Sequence, residues 1–133
     1  MIDQLLSQRF NKTGNLIYLA TSTNNTPSIR SLTPYYENGC FFAITSYSSK
    51  KTKEIQNNPN VAICGYFFNA NANASFIGPM KLYPELSKKL AYYCNEWIQL
   101  GKIDINSDDT YILKIELKDG YIIENNKRYD IKS

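Results

Sequence analysis

With 133 residues, 43% of them hydrophobic and 20% charged, the chain suits one packed domain and excludes an intrinsically disordered protein. A net charge of +3 and a pI near 8.7 argue against a nucleic-acid binder, because the lysines are scattered apart from Lys50-Lys51-Lys53 and Lys88-Lys89. Histidine is absent, which removes Ser-His-Asp and Cys-His nucleophilic schemes and imidazole metal sites.

Met1-Ile2-Asp3-Gln4-Leu5-Leu6 has no basic stretch and no long apolar run, so it predicts no signal peptide. No segment approaches the ~20 apolar residues of a membrane helix. A cytoplasmic protein is expected, with no membrane and no nucleic acid among its partners. Ile2 to Phe10 has helical spacing of Ile2, Leu5, Leu6 and Phe10. Asn15 to Thr21 reads as a strand covered on both faces, and Asn24-Asn25 as a turn. A second strand, from Pro27 to about Tyr35, pairs with it through a loop longer than two residues. Glu37-Asn38-Gly39 turns the chain into a third strand, Cys40 to Thr45, and the three form a meander.

The period then changes. Ser48 or Ser49 is a natural N-cap for a helix to Asn57, with Thr52, Ile55 and Gln56 on one face and Asn57-Asn58-Pro59 as its stop. Val61 to Phe68 is apolar enough for a central strand, and Asn69 to Asn73 reads as a small-residue turn. Ala74 to Tyr83 is another strand with Gly78-Pro79 at a bulge. Pro84 opens a helix to about Leu100, with Leu86, Leu90, Tyr93, Trp97 and Leu100 as its apolar stripe and Gly101 as its end. After a polar loop, Thr110 to Leu117 alternates as a strand, Lys118-Asp119-Gly120 turns, and Tyr121 to Glu124 is a last short strand. Asn125-Asn126 then leads to a tail that adds one more pairing around Tyr129-Asp130-Ile131. No repeat or linker interrupts the chain, so residues 1–133 are expected to form a single domain. Six or seven antiparallel strands with few helices favour a mainly β, closed or nearly closed small barrel. Cys40, Cys64 and Cys94 are odd in number and widely spaced, so they read as free thiols.

One stretch carries a chemical signature. Arg30 lies on a strand, Thr45-Ser46 end the next, and Ser48-Ser49-Lys50-Lys51 open a helix. A phosphate dianion needs cations and oriented donors. Arg provides a planar fork, Lys a point charge, and a helix N-terminus free N–H groups. The same residues also suit an ordinary helix cap with a solvated lysine face, and Arg30 a surface ion pair. Ser48 to Lys51 matches the Ser-x-x-Lys motif of serine β-lactamases, but the Ser-Asp-Asn and Lys-Thr-Gly triplets are missing.

Five motifs occur in order: Leu19-Ala20-Thr21, Pro27 with Arg30, Thr45, Ser49 with Lys51, and Asn58-Pro59-Asn60-Val61-Ala62, with Gly78 later. In these the chain resembles the pyridoxamine 5'-phosphate oxidase-like, FMN-binding split β-barrel family, over about residues 15 to 83 and in outline beyond. The resemblance implies a homodimer with FMN at its interface. Arg30 and Lys51, with Lys50 beside them, would bind the phosphate, and Ser49 would donate to it. Thr45 and Ser46 would serve the ribityl or phosphate region, and backbone groups of Ser31 and Leu32 would touch the isoalloxazine. Asn73 stands where the family often places a Gln that reaches the flavin from the partner subunit. Trp97, Tyr92 and Tyr93 would line the interface or the substrate side, unless they are ordinary helix core.

In the true oxidase an Arg and a His near the C-terminus hold the vitamer phosphate; the stretch Asn125 to Ser133 has no His, which argues against that activity, and a haem-degrading relative would need an axial His. The implied function is a small FMN-dependent oxidoreductase, of general stress protein or flavin reductase type. It would pass hydride or electrons from NAD(P)H or another donor to a small acceptor. A non-enzymatic or stress-related flavin-binding protein and a deazaflavin-binding relative are the alternatives. The flavin itself accepts hydride, so no catalytic side chain and no metal are expected.

Overall fold

The computed structural model describes residues 1–132. Helix α1 (Ile2–Phe10) precedes β1 (Ile17–Thr23), β2 (Thr26–Leu32), β3 (Tyr35–Glu37) and β4 (Cys40–Ser46). Then come α2 (Lys50–Asn57), β5 (Asn60–Gly65), β6 (Phe68–Pro79), a 3-10 turn (Met80–Leu82), α3 (Pro84–Tyr93), α4 (Asn95–Gln99), β7 (Thr110–Glu124) and β8 (Lys127–Lys132). The eight strands form one antiparallel sheet in the order β2-β1-β5-β6-β7-β4-β3, with β8 also on β7. The sheet curls round its core but stays open between β2 and β3, which is a split barrel.

Asparagine sets three of the hairpins. Asn24-Asn25, Asn38-Gly39 and Asn125-Asn126 form two-residue loops with both residues at positive φ. That is the type I′ geometry that follows the twist of the strands and suits Asn and Gly. The β1–β2 loop is therefore tight, contrary to the longer loop expected. The fourth hairpin, between β5 and β6, turns on Tyr66-Phe67, with Phe67 at φ 50°. No Gly or Asn marks this turn. Arg9 from α1 holds it instead, donating to the carbonyls of Tyr66 and Ile123 at 2.8 Å each and pairing with Glu124.

The first three strands are not a meander. β2 ends the path beyond β1, while β3 and β4 join through β7 at the other end. Asn69 to Asn73, expected as a turn, lies inside β6. Ala70, Ala72 and Ala74 face the core, and Asn69, Asn71, Asn73 and Ser75 face out. Phe68 begins β6 instead of ending β5. Lys118-Asp119-Gly120 does not turn either, because β7 runs through it. Gly120 has φ 157°, and a Cβ there would stand 2.1 Å from the Asn69 carbonyl oxygen, so only glycine lets β6 and β7 approach this closely. The bulge expected at Gly78 is present as a register shift between Phe76 and Gly78. Pro79 closes the strand instead of sitting within it.

The barrel core gathers Phe10, Tyr36, Phe41 and Phe68, with ring centroids 5.1–5.7 Å apart, around the inward residues of β1, β5, β6 and β7. Asn11 caps the open edge at β3: its side chain accepts from the Tyr36 N–H at 2.7 Å and donates to the Tyr36 carbonyl at 2.9 Å. A second, smaller cluster of Met80, Leu90 and Ile112 lies under α3, covering Phe42 and Ile44 on the outer face of β4. The long helix expected to Leu100 breaks at Cys94 into α3 and α4. Only Leu90 of its stripe is fully buried, while Trp97 and Leu100 are exposed. β1 is covered on one face only, leaving Tyr18 half exposed on the other.

Candidate functional site

α2 packs across the β1–β2 hairpin and carries Thr52, Glu54 and Ile55 inward; Gln56, expected on that face, is exposed. The position at 54 decides the site. Arg30 Nη2 pairs with Glu54 Oε1 at 2.8 Å, and Arg30 Nη1 donates to Thr21 Oγ1 at 2.9 Å. Thr21 in turn donates to Glu54 Oε1 at 3.3 Å, and Ser28 donates to Glu54 Oε2 at 2.9 Å. Glu54 is only 7% exposed. Burial alone raises its carboxyl, but Ser28, the Arg30 charge and Thr21 together bring it below the usual range.

Arg30 thus makes an ion pair, though not an exposed one. With Thr21, Glu54 and a long contact to the Leu19 carbonyl at 3.5 Å, at least two of its five N–H groups stay uncommitted. Lys51 lies close enough to feel the guanidinium. Burial first, and the Arg30 charge second, lower its ammonium from 10.5 to about 8. Lys51 makes no ion pair or hydrogen bond among the described residues. Two cations therefore stand near one carboxylate, and one of them, Lys51, is half-buried with no ion pair among the described residues. Two cations around one carboxylate leave a net positive charge, which is chemistry suited to an anion.

Ser49 occupies the N-cap position in extended conformation, and its hydroxyl makes no cap bond, lying 3.4 Å from Thr52 Oγ1. The N–H groups of Lys50 and Lys51 have no acceptor among the described residues. The Lys50 side chain is exposed. Thr45 is buried at the end of β4. Ser46 is exposed and its hydroxyl donates to Asp109. Asp109 also accepts from the Ser48 N–H at 3.0 Å and the Ser48 hydroxyl at 2.8 Å, so it pins the turn that launches α2. Its carboxyl is lowered, chiefly by the Ser46 hydrogen bond.

Ser31 faces outward on β2, opposite to Arg30, and Leu32 faces the core. A cavity of about 260 Å³ opens beside both and reaches Trp97 on α4. Asn73 lies on the outer face of β6, paired with Asn60 and Glu116, with no side-chain hydrogen bond among the described residues. Arg30, Ser49 and Lys51 thus gather around α2, while Ser31 and Asn73 lie on the outer sheet face. Glu54, Ser28 and Asp109 had no place in the site expected from the sequence, and Thr21 entered it only as the end of the Leu19-Ala20-Thr21 motif. The only local hint was a carboxylate three residues beyond Lys51 on an otherwise basic helix.

No family model matches the chain. A 46-residue segment, 34% of this chain, is 52% identical to the pyridoxine/pyridoxamine 5'-phosphate oxidase of Vesicomyosocius okutanii subsp. Calyptogena okutanii (strain HA), and spans 22% of that relative. Among solved structures, the fold matches general stress protein 26 of Bacillus anthracis str. Sterne with a TM-score of 0.74 at 17% identity, covering 98% of both chains. It also matches a FAD-binding protein from Mesorhizobium loti with a TM-score of 0.67 at 12% identity, covering 87% of this chain and 90% of that one. In this segment and in its fold, the chain resembles the pyridoxamine 5'-phosphate oxidase-like split barrels. None of its helices is long and apolar enough, among the described residues, to cross a membrane.

Proposed function

We propose that the chain binds flavin mononucleotide as a homodimer and passes hydride or electrons from NAD(P)H or another donor to a small acceptor. The observation that carries this reading is Lys51, a half-buried ammonium that burial and the nearby Arg30 charge lower to about 8, with no ion pair among the described residues. Arg30 and Lys51 would hold the phosphate, with the Lys50 and Lys51 N–H groups and the Ser49 hydroxyl as further donors. Glu54 fixes the guanidinium plane, and Asp109 fixes the turn before α2. A bound flavin supplies the hydride-accepting ring. The oxidase segment and the FAD-binding neighbour support a flavin, and the phosphate cradle favours the mononucleotide.

A dimer is supported by the outer face of β2, β1 and β5. Ile29, Ala20 and Ala62 stand in one row there, with Tyr18 and Leu16 beside it. Ile29 is 69% exposed and Tyr18 45%, an apolar patch of the kind that partners cover.

Purified protein is titrated with FMN and, as a control without phosphate, riboflavin, and the loaded protein is then assayed with NAD(P)H and an acceptor panel. Uptake of FMN far ahead of riboflavin is expected. Equal affinity for the two removes the phosphate site, and FMN uptake without turnover assigns a flavin-binding protein that is not an enzyme. Sedimentation of the loaded protein as a monomer removes the dimer.

The Lys51 ammonium also sets a pH dependence. Between about 8 and 10.5 the unfolded chain holds a proton that folded Lys51 has released, so the stability of the unliganded protein rises with pH in that window. Phosphate needs the charged form. The ratio of FMN to riboflavin affinity therefore falls, by up to about tenfold per pH unit above pH 8. A ratio that stays flat from pH 7 to 10 contradicts this.

A further inference from the structure

A groove of about 440 Å³ lies between α3 and the outer face of β3, β4 and β7. It stands apart from the anion site. β4 borders it at Cys40 and Phe42, and reaches Thr45-Ser46 only at its other end, about 20 Å from Cys40 at the usual rise of a strand. None of its lining comes from β1, β2, β5 or β6, so it is clear of the face proposed for the dimer. Four charged side chains line it. Two are already paired: Lys89 lies 3.2 Å from Glu37 Oε2 and 5.5 Å over the Tyr35 ring, and the Tyr35 hydroxyl donates to the same carboxylate at 3.1 Å. The other two, Glu85 on α3 and Lys114 on β7, make no ion pair and no side-chain hydrogen bond among the described residues. Phe42 stands beside Lys114 in the register of β4 and β7, and with Leu86 it packs on the Met80, Leu90 and Ile112 cluster. Cys40 is 8% exposed, and burial raises its thiol, so it is a neutral, apolar part of the wall.

We propose that this groove takes a free amino acid with an apolar side chain, bound as the zwitterion with its ammonium at Glu85, its carboxylate at Lys114 and its side chain on Phe42 and Leu86. Charge sets the class. The two carboxylates and two ammonium groups of the lining cancel. An anion gains Lys114 but is repelled by Glu85, and a cation the reverse; a ligand that carries both charges gains from both. The apolar walls select the side chain, because covering them removes their surface from water. Volume sets the size: a cavity of ~150 Å³ admits benzene, so about 440 Å³ admits a phenylalanine. The bonds of Lys89 and Tyr35 to Glu37 tie α3 to β3, so the walls keep their spacing without a ligand. This site does not depend on the flavin reading.

The unliganded chain is titrated by calorimetry with L-phenylalanine, with N-acetyl-L-phenylalanine, which lacks the ammonium, with L-phenylalaninamide, which lacks the carboxylate, and with glycine, which lacks the side chain. Saturable binding of L-phenylalanine is expected, with each derivative about fivefold weaker, the ratio expected of one partly exposed ion pair. Glycine should bind more weakly than any of them. Glu85→Gln should abolish the preference over the N-acetyl derivative, and Lys114→Gln the preference over the amide. No saturable binding of L-phenylalanine, a derivative or glycine bound as tightly, or a preference that survives its variant each overturn the proposal. If a variant fails to fold, the four ligands on the parent chain still decide. The titration is repeated on FMN-saturated protein, where unchanged affinity is expected. Competition with FMN puts the amino acid in the flavin site and overturns the proposal. A protein that takes up no FMN sinks the flavin reading alone, since the titration of the unliganded chain stands by itself.

Discussion

Removing both cations, as Lys51→Ala with Arg30→Ala in a Glu54→Gln background, is expected to lower FMN affinity about a thousandfold and riboflavin affinity far less. Each charge-assisted bond to phosphate contributes roughly 1.5–3 kcal/mol, so two together are worth about 4 kcal/mol. The Glu54→Gln background matters, because Arg30→Ala alone leaves a bare carboxylate where the phosphate would sit. That adds repulsion to the loss of attraction. Lys51→Met by itself should cost about thirtyfold in FMN affinity while raising the stability of the unliganded protein, since a methionine fills the same space without a desolvated charge. Flavin fluorescence titration measures all of these. FMN affinity within threefold of the parent in the combined variant would falsify the phosphate assignment.

The second large effect is on stability. Arg30→Ala is expected to destabilise the protein by about 3 kcal/mol, and Glu54→Gln in the same chain to restore most of it. The reason lies in the asymmetry of burial. Glu54 is 7% exposed and keeps only Ser28 and Thr21 once the guanidinium has gone, so its charge stays in a dry site half satisfied. Arg30, with 23% of its side chain exposed, loses less when Glu54 is neutralised. Glu54→Gln alone should therefore cost less than Arg30→Ala alone, about 1 kcal/mol. Urea unfolding of the two single variants and the double variant closes the cycle. Additive costs would mean that the pair is not coupled and that Arg30 is held by Thr21.

Asp109 gives a smaller effect in the same region. Asp109→Ala frees the Ser46 hydroxyl and both Ser48 donors, loosening the turn before α2. A modest loss of stability is expected, read as a lowered urea midpoint.

What was legible in the chain was local. Asn24-Asn25, Asn38-Gly39 and Asn125-Asn126 mark their turns because Asn and Gly accept positive φ, and the structure uses them so. The start of α2 after Ser49, its stop before Pro59 and the bulge at Gly78 follow from equally local rules. The errors came where local chemistry was overruled. Asn69-Ala70-Asn71-Ala72-Asn73 has turn composition, yet its alternation matches a strand with one dry face, and burial of the alanines decided the outcome. Tyr66-Phe67 has strand composition, yet it turns, because Arg9 and Glu124 tie the loop to β7 from outside it. Gly120 carries a turn signal but serves a close contact between strands.

The family resemblance joined Arg30, Ser49 and Lys51 into one group; by itself, the sequence determined the class of fold and the three asparagine turns. Those follow from residue type and spacing along a few turns or strands. Only the tertiary structure decided that Glu54 is the counter-ion of Arg30, that Lys51 is half-buried beside them with no ion pair among the described residues, and that Trp97 borders a cavity instead of a core. The physical reason is that charge pairing and desolvation depend on what packs across the space. Arg30 and Glu54 are 24 residues apart and meet only when α2 lies on the β1–β2 hairpin.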